Sequence, residues 1–503
     1  MASATVHETN DVAEVTAPTL LGNEEAAATD AAGKKVVAVA QAVAPAQVPD
    51  PKAYQPVART EDEDDGREPS YLMQFLLCAT AALEGADTAL LPAAMLALQE
   101  DVGLKITDLA YLNTAQAVCT NIAAPFWGIL ADRGILERKT ILIIGSLGQG
   151  AVTCMLAVIT ILGPMIFLRA LNGALLAALR PISNGIIADM TAESKRGKLF
   201  GRVQSSLMFG MFITSLVVVP IARKEILGIQ GWRVAFVLIG AVSLVVSALL
   251  YLLMKEPPRA EAPTPSGEGG ICRAVWDEVK SLLQFFRIPT FCVMILQGIF
   301  GTIPWSVMGN MALYLQLSGM ADGPVGVLGS INSVAGMAGN ILAGYVADFL
   351  ASRLGYNGRP LSAQITVMLG LPCIYLLFYG IPPGDGSFGI YLTLILTFGL
   401  LGSWAQSGTN FPILSEIVPS HARSRVMAWE CALENSIANA LGPVVVALLA
   451  TEAFGYDFDK KPSGDSIATD LHSARALGTA MTCVICVPWL VCFCAYSILH
   501  WSY

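Results

Sequence analysis

The sequence predicts an all-α integral membrane protein with twelve transmembrane helices, arranged as two pseudo-symmetric six-helix bundles. Three observations predict this class. Of the 503 residues, 54% are hydrophobic and 14% charged, and the mean hydropathy is +0.59, which is too apolar for a protein with a hydrated surface. Twelve apolar runs are long enough to cross a bilayer, and two short patterns recur in both halves of the chain.

The apolar runs carry most of this prediction. A helix needs roughly 20 apolar residues to cross a hydrocarbon core about 30 Å thick. One such run is compatible with a buried helix of a soluble protein, but twelve are not. Between span 3 and span 4 only Gly163 and Pro164 interrupt the apolar sequence, so we place that boundary there. Numbered in chain order as spans 1 to 12, the predicted segments cover residues 71–98, 108–131, 140–162, 163–188, 198–222, 232–254, 289–317, 324–350, 361–381, 388–415, 426–450 and 475–501.

Two repeated patterns indicate that the second half duplicates the first. Gly128 and Asp132 close span 2 as Gly-x-x-x-Asp, and Gly344 and Asp348 repeat this 216 positions later. A second pattern places an acid seven residues before an arginine at the end of an apolar segment. Its two copies, Asp189 with Arg196 and Glu416 with Arg423, are 227 positions apart. Duplicated helical bundles are typical of transporters.

Outside the spans we predict two polar regions. Residues 1–70 lack helical periodicity and end in an acidic run, so they are expected to form a disordered tail. Residues 255–288 link a first six-helix half (71–254) to a second (289–503). The linker ends in an amphipathic pattern, with Val275, Val279 and Phe286 on one face, which predicts a helix lying on the membrane or packed on the bundle ends.

Basic residues predict the orientation. Lys and Arg concentrate in the loops after spans 2, 4, 8 and 10, although the loop at 222–233 is an exception. By the positive-inside rule those four loops are cytoplasmic, so both termini are expected on the cytoplasmic side of the membrane.

The stretch Gly128-Ile-Leu-Ala-Asp132-Arg133, followed by Arg138 and Lys139, resembles the signature of the major facilitator superfamily. The resemblance implies alternating access between two six-helix halves. It also implies a cytoplasmic gate, for which the matching or repeated residues are Gly128, Asp132, Arg133, Asp189, Arg196, Gly344, Asp348, Glu416 and Arg423.

A narrower resemblance is to the Spinster branch of that superfamily. It depends on scattered positions of spans 1 and 4, and two positions depart from the branch pattern, Thr88 and Leu176. The Gly- and Pro-rich fifth-helix motif of many drug/proton antiporters is absent between Phe209 and Pro220, which disfavours multidrug export. The positions that match the Spinster branch are Asp87, Gln99, Gly103, Arg169, Gly173, Ile186, Ile187 and Asp189.

Charges within the first half are candidate binding or coupling groups, because a charge at mid-bilayer costs on the order of 3 kcal/mol. Glu84 and Asp87 are three residues apart on one face of span 1, so at least one carboxyl is expected to hold a proton near neutral pH. The alternative is that one acid pairs with a basic residue of another helix. Arg169 and Arg180 are eleven residues apart on span 4, which places them on the same side of an unbroken helix. Arg180 is the candidate anchor for an anion or the partner of Glu84 or Asp87, and Arg169 is expected to stabilise the fold.

In the second half, Trp305 and Asn310 of span 7 and Glu434 of span 11 are candidate binding or coupling residues. The tryptophan is expected either to stack on an apolar part of the substrate or to belong to an interfacial belt. Glu430 is expected to pair with Arg423 or Arg425 in the cytoplasmic gate.

We therefore expect a secondary active transporter for a small organic solute or an amphiphilic lipid, with protons as a further expected ligand. The alternatives are a proton-coupled carrier of organic anions or sugars, or a non-transporting nutrient receptor on the same fold. An enzyme is disfavoured, because the sequence shows no paired nucleophile and base, phosphate loop or metal cluster. We expect no cofactor, no metal and no nucleic-acid partner, contact with membrane lipids, and a monomer.

Overall fold

The structure is a computed structural model that describes residues 28–29, 35–36, 68–132, 134–191, 193–256, 280, 283–381, 387–417, 423–456 and 471–502. The chain divides into two units, Met1–Thr60 and Glu61–Tyr503. In the first unit two short strands, Ala28–Thr29 and Lys35–Val36, pair antiparallel. Most of the predicted tail and linker, including Val275 and Val279, lies outside the described residues.

The second unit is helical, and every predicted span coincides with one helix or with consecutive helices. A short antiparallel pair, Glu225–Ile226 with Ile229–Gln230, joins spans 5 and 6. The α-helices are Tyr71–Val102, Ile106–Asp132, Arg138–Leu156, Leu162–Leu176, Leu179–Met190, Glu193–Ala222, Gly231–Leu253, Pro289–Val307, Met311–Leu317, Asp322–Leu354, Gly358–Tyr375, Phe388–Gly402, Phe411–Ile417, Arg423–Leu448 and Leu471–Ser502.

Nine helical segments of the described chain are long and apolar enough to cross a membrane, and one of them, Asp322–Gly380, contains both span 8 and span 9. Span 2 and span 10 are not among the nine, although each forms a helix at the predicted place. The chain is thus a multi-pass integral membrane protein. Its outward side chains fit that setting, since Val237, Val242 and Val245 on span 6 are all exposed.

The predicted boundary between spans 3 and 4 was wrong by several residues. Span 3 ends at Leu156, and the next helix begins at Leu162. Gly163 and Pro164 therefore lie in the first turn of span 4 and not between the helices. Proline is tolerated there because the first backbone N–H groups of a helix have no carbonyl partner within it.

Span 4 is interrupted at Ala177 and Ala178, between helices Leu162–Leu176 and Leu179–Met190. The reason lies four residues further on, because Pro181 has no N–H to donate to the carbonyl of Ala177. The second half is interrupted differently, by π-helical turns at Leu376–Gly380, Ala405–Asn410 and Leu449–Ala453.

Helix packing repeats after six spans. Spans 1 and 5, 2 and 4, and 3 and 6 pack together in the first half. The equivalent pairs 7 and 11, 8 and 10, and 9 and 12 pack together in the second half. The halves meet where span 2 packs on span 11 and span 5 on span 8. This repeated pattern agrees with the duplication expected from the sequence.

Spans 1 and 5 approach each other closely through two glycines. A Cβ atom added to Gly85 would lie 1.9 Å from the carbonyl oxygen of Leu207, and one added to Gly210 would lie 2.0 Å from that of Ala82. Any larger residue would force the two backbones apart.

The bundle has two ends, which we name by residues. The Gly103 end holds the connections at residues 103–105, 157–161 and 223–230, and the Arg138 end holds those at 134–137 and 355–357. Among the side chains that the structure describes, hydrogen bonds and ion pairs between the halves lie toward the Gly103 end. They join Gln99 to Tyr456, Thr114 to Asn439, Arg223 to Asp322 and Ser330 to Phe212.

Toward the Arg138 end, the described residues of the two halves are apart. A Cβ atom added to Gly128, Gly336 or Gly344 would meet no atom within 4 Å. Gly128 and Gly344 are the repeated glycines of the predicted gate. The part of the chain that the structure describes is therefore closed at the Gly103 end and open at the Arg138 end.

Candidate functional site

A cavity of about 160 Å³ lies in the first half, between spans 1, 4 and 5. This volume is smaller than the roughly 300–1,000 Å³ of pockets that enclose a drug-sized ligand. Its apolar wall includes Leu179, Phe200 and Leu207. The polar lining consists of Glu84, Arg180, Ser183, Asn184 and Gln204.

Glu84 and Arg180 form an ion pair in this cavity. Nη2 of Arg180 lies 2.5 Å from Oε1 of Glu84, and their side chains are 58% and 10% exposed. Arg180 therefore pairs with Glu84 through Nη2, while more than half of the Arg180 side chain remains exposed. Ser183 adds a buried hydroxyl without a hydrogen-bond partner. The site thus presents a cation to a ligand, with a buried and unpartnered hydroxyl beside it.

Asp87 lies one turn further along span 1 but belongs to a separate network. The side chain is fully buried. Its Oδ1 accepts hydrogen bonds from Gln149 (2.8 Å), Thr153 (3.0 Å) and Asn172 (3.3 Å), and its Oδ2 accepts one from Gln116 (2.7 Å). Glu84 and Asp87 therefore have different partners, and neither is the main neighbour of the other.

Arg169 completes the Asp87 network. Its guanidinium donates to Oε1 of Gln116, whose amide nitrogen donates to Asp87. Gln116 thus bridges a buried cation and a buried anion. The break at Ala177 and Ala178 separates Arg169 from Arg180. Arg180 pairs with Glu84 of span 1, and Arg169 reaches Asp87 of span 1 through Gln116, so the prediction that the two arginines project from the same side stays a prediction.

Trp305 and Asn310 differ in exposure. Trp305 is 38% exposed, and its ring lies 5.4 Å from that of Phe398 on span 10. Asn310 is buried and donates to the carbonyl of Val307, one turn earlier on span 7. The cavity of the first half includes neither residue.

Glu430 and Glu434 are both buried in the second half. They are 1% and 2% exposed, and Oε1 of each has no hydrogen-bond partner. Glu434 packs against Gly298 of span 7, where a Cβ atom would lie 1.5 Å from Oε1. The side chains of Arg423 and Arg425 lie outside the described part of the structure, so the gate pairing predicted for Glu430 stays a prediction.

At the Arg138 end, two of the predicted gate acids have partners within their own half. Asp189 pairs with Arg138 at 2.6 Å, and Asp348 with Arg359 at 3.5 Å. Glu256 accepts from the backbone N–H groups of Arg138 and Lys139. Arg133 lies outside the described residues, and for Asp132, Arg196, Glu416 and Arg423 only the backbone is described.

Arg223 connects the halves at the Gly103 end. It pairs with Glu100 of the first half at 2.7 Å and with Asp322 of the second at 3.4 Å. Partial burial opposes the charge of Arg223, but the hydrogen bonds and charges of these two acids outweigh it and raise the pKa of the guanidinium. The link is therefore ionic at every physiological pH.

Sequence reasoning missed the side chains that surround Asp87. These are Gln116, Gln149, Thr153 and Asn172, on spans 2, 3 and 4. A signal was available, because each is a polar residue in an otherwise apolar run. Among the described residues, no group of three His, Cys, Asp or Glu side chains is arranged to hold a metal ion.

Comparisons with known proteins agree with this architecture. Residues 76–443 match the family model described as Major Facilitator Superfamily. The chain is 26% identical over 384 residues to a multi-drug resistance efflux pump, PmrA, of Streptococcus pneumoniae, covering 74% of this chain and 88% of that protein. It is 28% identical over 261 residues to the multidrug resistance protein MdtG of Yersinia enterocolitica, covering 51% of this chain and 57% of that protein.

Solved structures share the fold. A bacterial homologue of the human lysosomal transporter Spinster, in an inward-facing and occupied conformation, superposes with a TM-score of 0.70 at 17% identity. The match covers 86% of this chain and 96% of that one. A D-xylose–proton symporter gives a TM-score of 0.60 at 16% identity, covering 82% and 96%.

Proposed function

Since this chain belongs to the Major Facilitator Superfamily, we propose that it is a secondary active transporter of an amphiphile with an anionic head group, such as a lysophospholipid. We further propose that twelve spans in two halves rock about a central site, with both termini cytoplasmic and the Arg138 end therefore facing the cytoplasm. The state described above would then be inward-open.

The observation that carries the substrate class is the composition of the cavity. The side chain of Arg180 is 58% exposed, so its guanidinium is accessible to a ligand. Ser183, beside it, has a buried hydroxyl without a hydrogen-bond partner. A guanidinium binds phosphate or carboxylate in a bidentate manner. Leu179, Phe200 and Leu207 form an apolar wall beside it. A charged head bound next to an apolar surface fits an amphiphile better than a sugar.

The cytoplasmic gate remains a proposal. Gly128, Asp132, Arg133, Asp189 and Arg196 would meet their counterparts Gly344, Asp348, Glu416 and Arg423 when the Arg138 end closes. Space is available for this approach, because a Cβ atom at Gly128 or Gly344 would contact nothing. Trp305 and Asn310 would contribute from span 7 once the halves close on the substrate.

The test is thermal stabilisation of the purified protein by a panel of lysophospholipids, sphingoid lipids, sugars, amino acids and carboxylates, at acidic and at neutral pH. A ligand present at 100 times its Kd stabilises the folded state by about 2.7 kcal/mol. We expect anionic lysophospholipids to raise the melting temperature, Arg180→Gln to abolish the shift, and Arg180→Lys to weaken it.

The matched control is Arg233→Gln. Arg233 also pairs with an acid, Asp101 at 3.1 Å, but it lies at the Gly103 end and outside the cavity. This variant should keep the full ligand shift. Stabilisation by sugars or amino acids, with none by amphiphiles, would overturn the substrate class and leave the family assignment in place.

Export of amphiphilic drugs is a second candidate, favoured by the names of two relatives, one a multi-drug resistance efflux pump and the other a multidrug resistance protein. It predicts the opposite response to charge. A lipophilic cation would bind Glu84 and would be repelled by Arg180, so Arg180→Gln should strengthen its effect and Glu84→Gln should remove it. The same melting assay therefore separates the two functions.

A further inference from the structure

The second half contains a pair of acids that the cavity does not use. Glu430 and Glu434 lie one helical turn apart on span 11, and they are 1% and 2% exposed. Among the described residues, no Lys, Arg or His side chain lies within 4 Å of either carboxyl. Two ionised carboxylates in such a place would repel each other and would both lack water.

Among the described residues, the groups that face the pair from spans 7 and 12 are uncharged at neutral pH. Span 7 contributes Gln297 and Gly298, and span 12 contributes Cys492 and Tyr496. The hydroxyl of Tyr496 donates to Asn410 of span 10 at 2.9 Å, and Cys492 lies 3.8 Å from Oε1 of Gln297. On span 11 itself, the thiol of Cys431 donates to Oε2 of Glu430 at 3.4 Å.

Two features show that the pair is arranged to hold a proton. Oε1 of Glu430 and Oε1 of Glu434 are both buried without a hydrogen-bond partner, one helical turn apart, and a proton bound to this pair would supply the missing donor. Beside them Gln297, 1% exposed, has an amide nitrogen without any partner. This nitrogen can donate to a carboxylate when the proton leaves. The site can therefore form hydrogen bonds both when the pair holds a proton and after the proton has left.

We propose that Glu430 and Glu434 form a single proton-binding site, in which the two carboxyl groups share one proton in the state open at the Arg138 end. This places a proton site in the second half, separate from the Glu84–Arg180 pair and from Asp87.

A role in transport rests on the proposed function. Arg180 is the cation of the first half that lies within electrostatic range of Cys431, next to Glu430. When the Arg138 end closes, its guanidinium approaches the pair. A nearby positive charge favours ionisation, so closure would expel the shared proton.

Infrared spectroscopy of the purified protein tests the site without any transported solute. We expect a carbonyl-stretch band of a protonated carboxyl at neutral pH, shifted in D₂O and titrating away as the pH rises. Glutamine keeps the shape of the acid and cannot titrate, so Glu434→Gln and Glu430→Gln should each lower the number of protons bound between alkaline and acidic pH by one per molecule. Each variant should also shift the frequency of the band and the pH at which it titrates, because the remaining acid has no carboxyl with which to share its proton.

Thermal stability gives an independent measurement. A carboxyl that is protonated in the folded state but ionised in the unfolded state binds more protons when folded, so stability is lost as the pH rises. We expect the melting temperature of the wild type to fall from mildly acidic to alkaline pH, and Glu434→Gln to flatten this dependence. The matched control is Glu452→Gln, on the same span but exposed, which should leave both measurements unchanged.

Absence of the band in the wild type at neutral pH would overturn the proposal, and this measurement requires no variant to fold. A band with the wild-type frequency and the wild-type pH dependence in both glutamine variants would also overturn it, because the proton would then belong to another carboxyl. Neither outcome bears on the substrate panel, so failure of this site and failure of the proposed function are distinguishable.

Discussion

Replacing Asp87 by asparagine should destabilise the first half strongly. The side-chain oxygen of an asparagine can still accept from Gln149, Thr153 and Asn172. Its NH₂ group would then replace Oδ2, which in the wild type lies 2.7 Å from the amide nitrogen of Gln116, so two donors would face each other. One hydrogen bond to a charged acceptor is lost, at about 1.5–3 kcal/mol.

The larger part of the effect comes from charge. Arg169 is 1% exposed, and Asp87, reached through Gln116, is the anion that compensates it. Removing one partner of a buried ion pair costs about 3–5 kcal/mol, because the other charge is left uncompensated. We therefore expect Asp87→Asn to lower the free energy of unfolding by about 3–5 kcal/mol in total, since the two terms overlap.

The assay is a double-mutant cycle in detergent and SDS mixed micelles, with unfolding followed by circular dichroism. Arg169→Gln alone should cost a similar amount, whereas the double variant should cost less than the sum by about 1–3 kcal/mol, because no charge remains unpaired. Asp101→Asn with Arg233→Gln provides the control cycle, since that exposed pair should couple by less than about 1 kcal/mol. Additive effects at Asp87 and Arg169 would refute the bridged ion pair.

Three further predictions concern the contacts between helices and between halves. Gly85→Ala should lower the melting temperature despite its better helix propensity, because overpacking costs about 1–3 kcal/mol and the new Cβ would lie 1.9 Å from the oxygen of Leu207. Gly201→Ala, with no atom within 4 Å, should be neutral or stabilising, and equal effects in the two variants would contradict the close approach. Arg223→Gln should shift the population toward the state open at the Gly103 end, measured as distances between spin labels, and high salt should act in the same direction on the wild type. Gly344→Val should leave stability unchanged but slow transport in proteoliposomes severalfold, and an unchanged rate would show that this glycine does not enter a closed contact.

The sequence predicted the helices well because the bilayer imposes one rule on all of them. Every spanning segment must satisfy its backbone internally and present apolar side chains, so the apolar runs mark the helices directly. Boundaries follow weaker signals. At Gly163 and Pro164 the residue types that break a helix in its interior are also those that begin one, and only the structure distinguishes the two cases.

The candidate site was only partly predictable for a related reason. Single charges such as Glu84 and Arg180 are conspicuous in an apolar run because of their cost. Their partners come from other helices, whose relative rotation the sequence does not specify. Periodicity places Glu84 and Asp87 on one face of span 1. Helix packing nevertheless gives them different partners, because Glu84 contacts Arg180 and Asp87 contacts Gln116. The count of three turns between Arg169 and Arg180 also passes through the interruption before Pro181, which the sequence does not show directly.

The interruption of span 4 also has a consequence for how this protein can change. The helix before Ala177 carries side chains that hold the buried network, and the helix after it carries Arg180, Ser183 and Asn184, which line the cavity. Under the proposed function, substrate selectivity therefore depends on the second helix of span 4, and the stability of the buried network depends on the first. Libraries randomised at Ser183 and Asn184 should yield well-folded proteins with altered solute preference at high frequency, which makes the chain a practical starting point for engineered carriers.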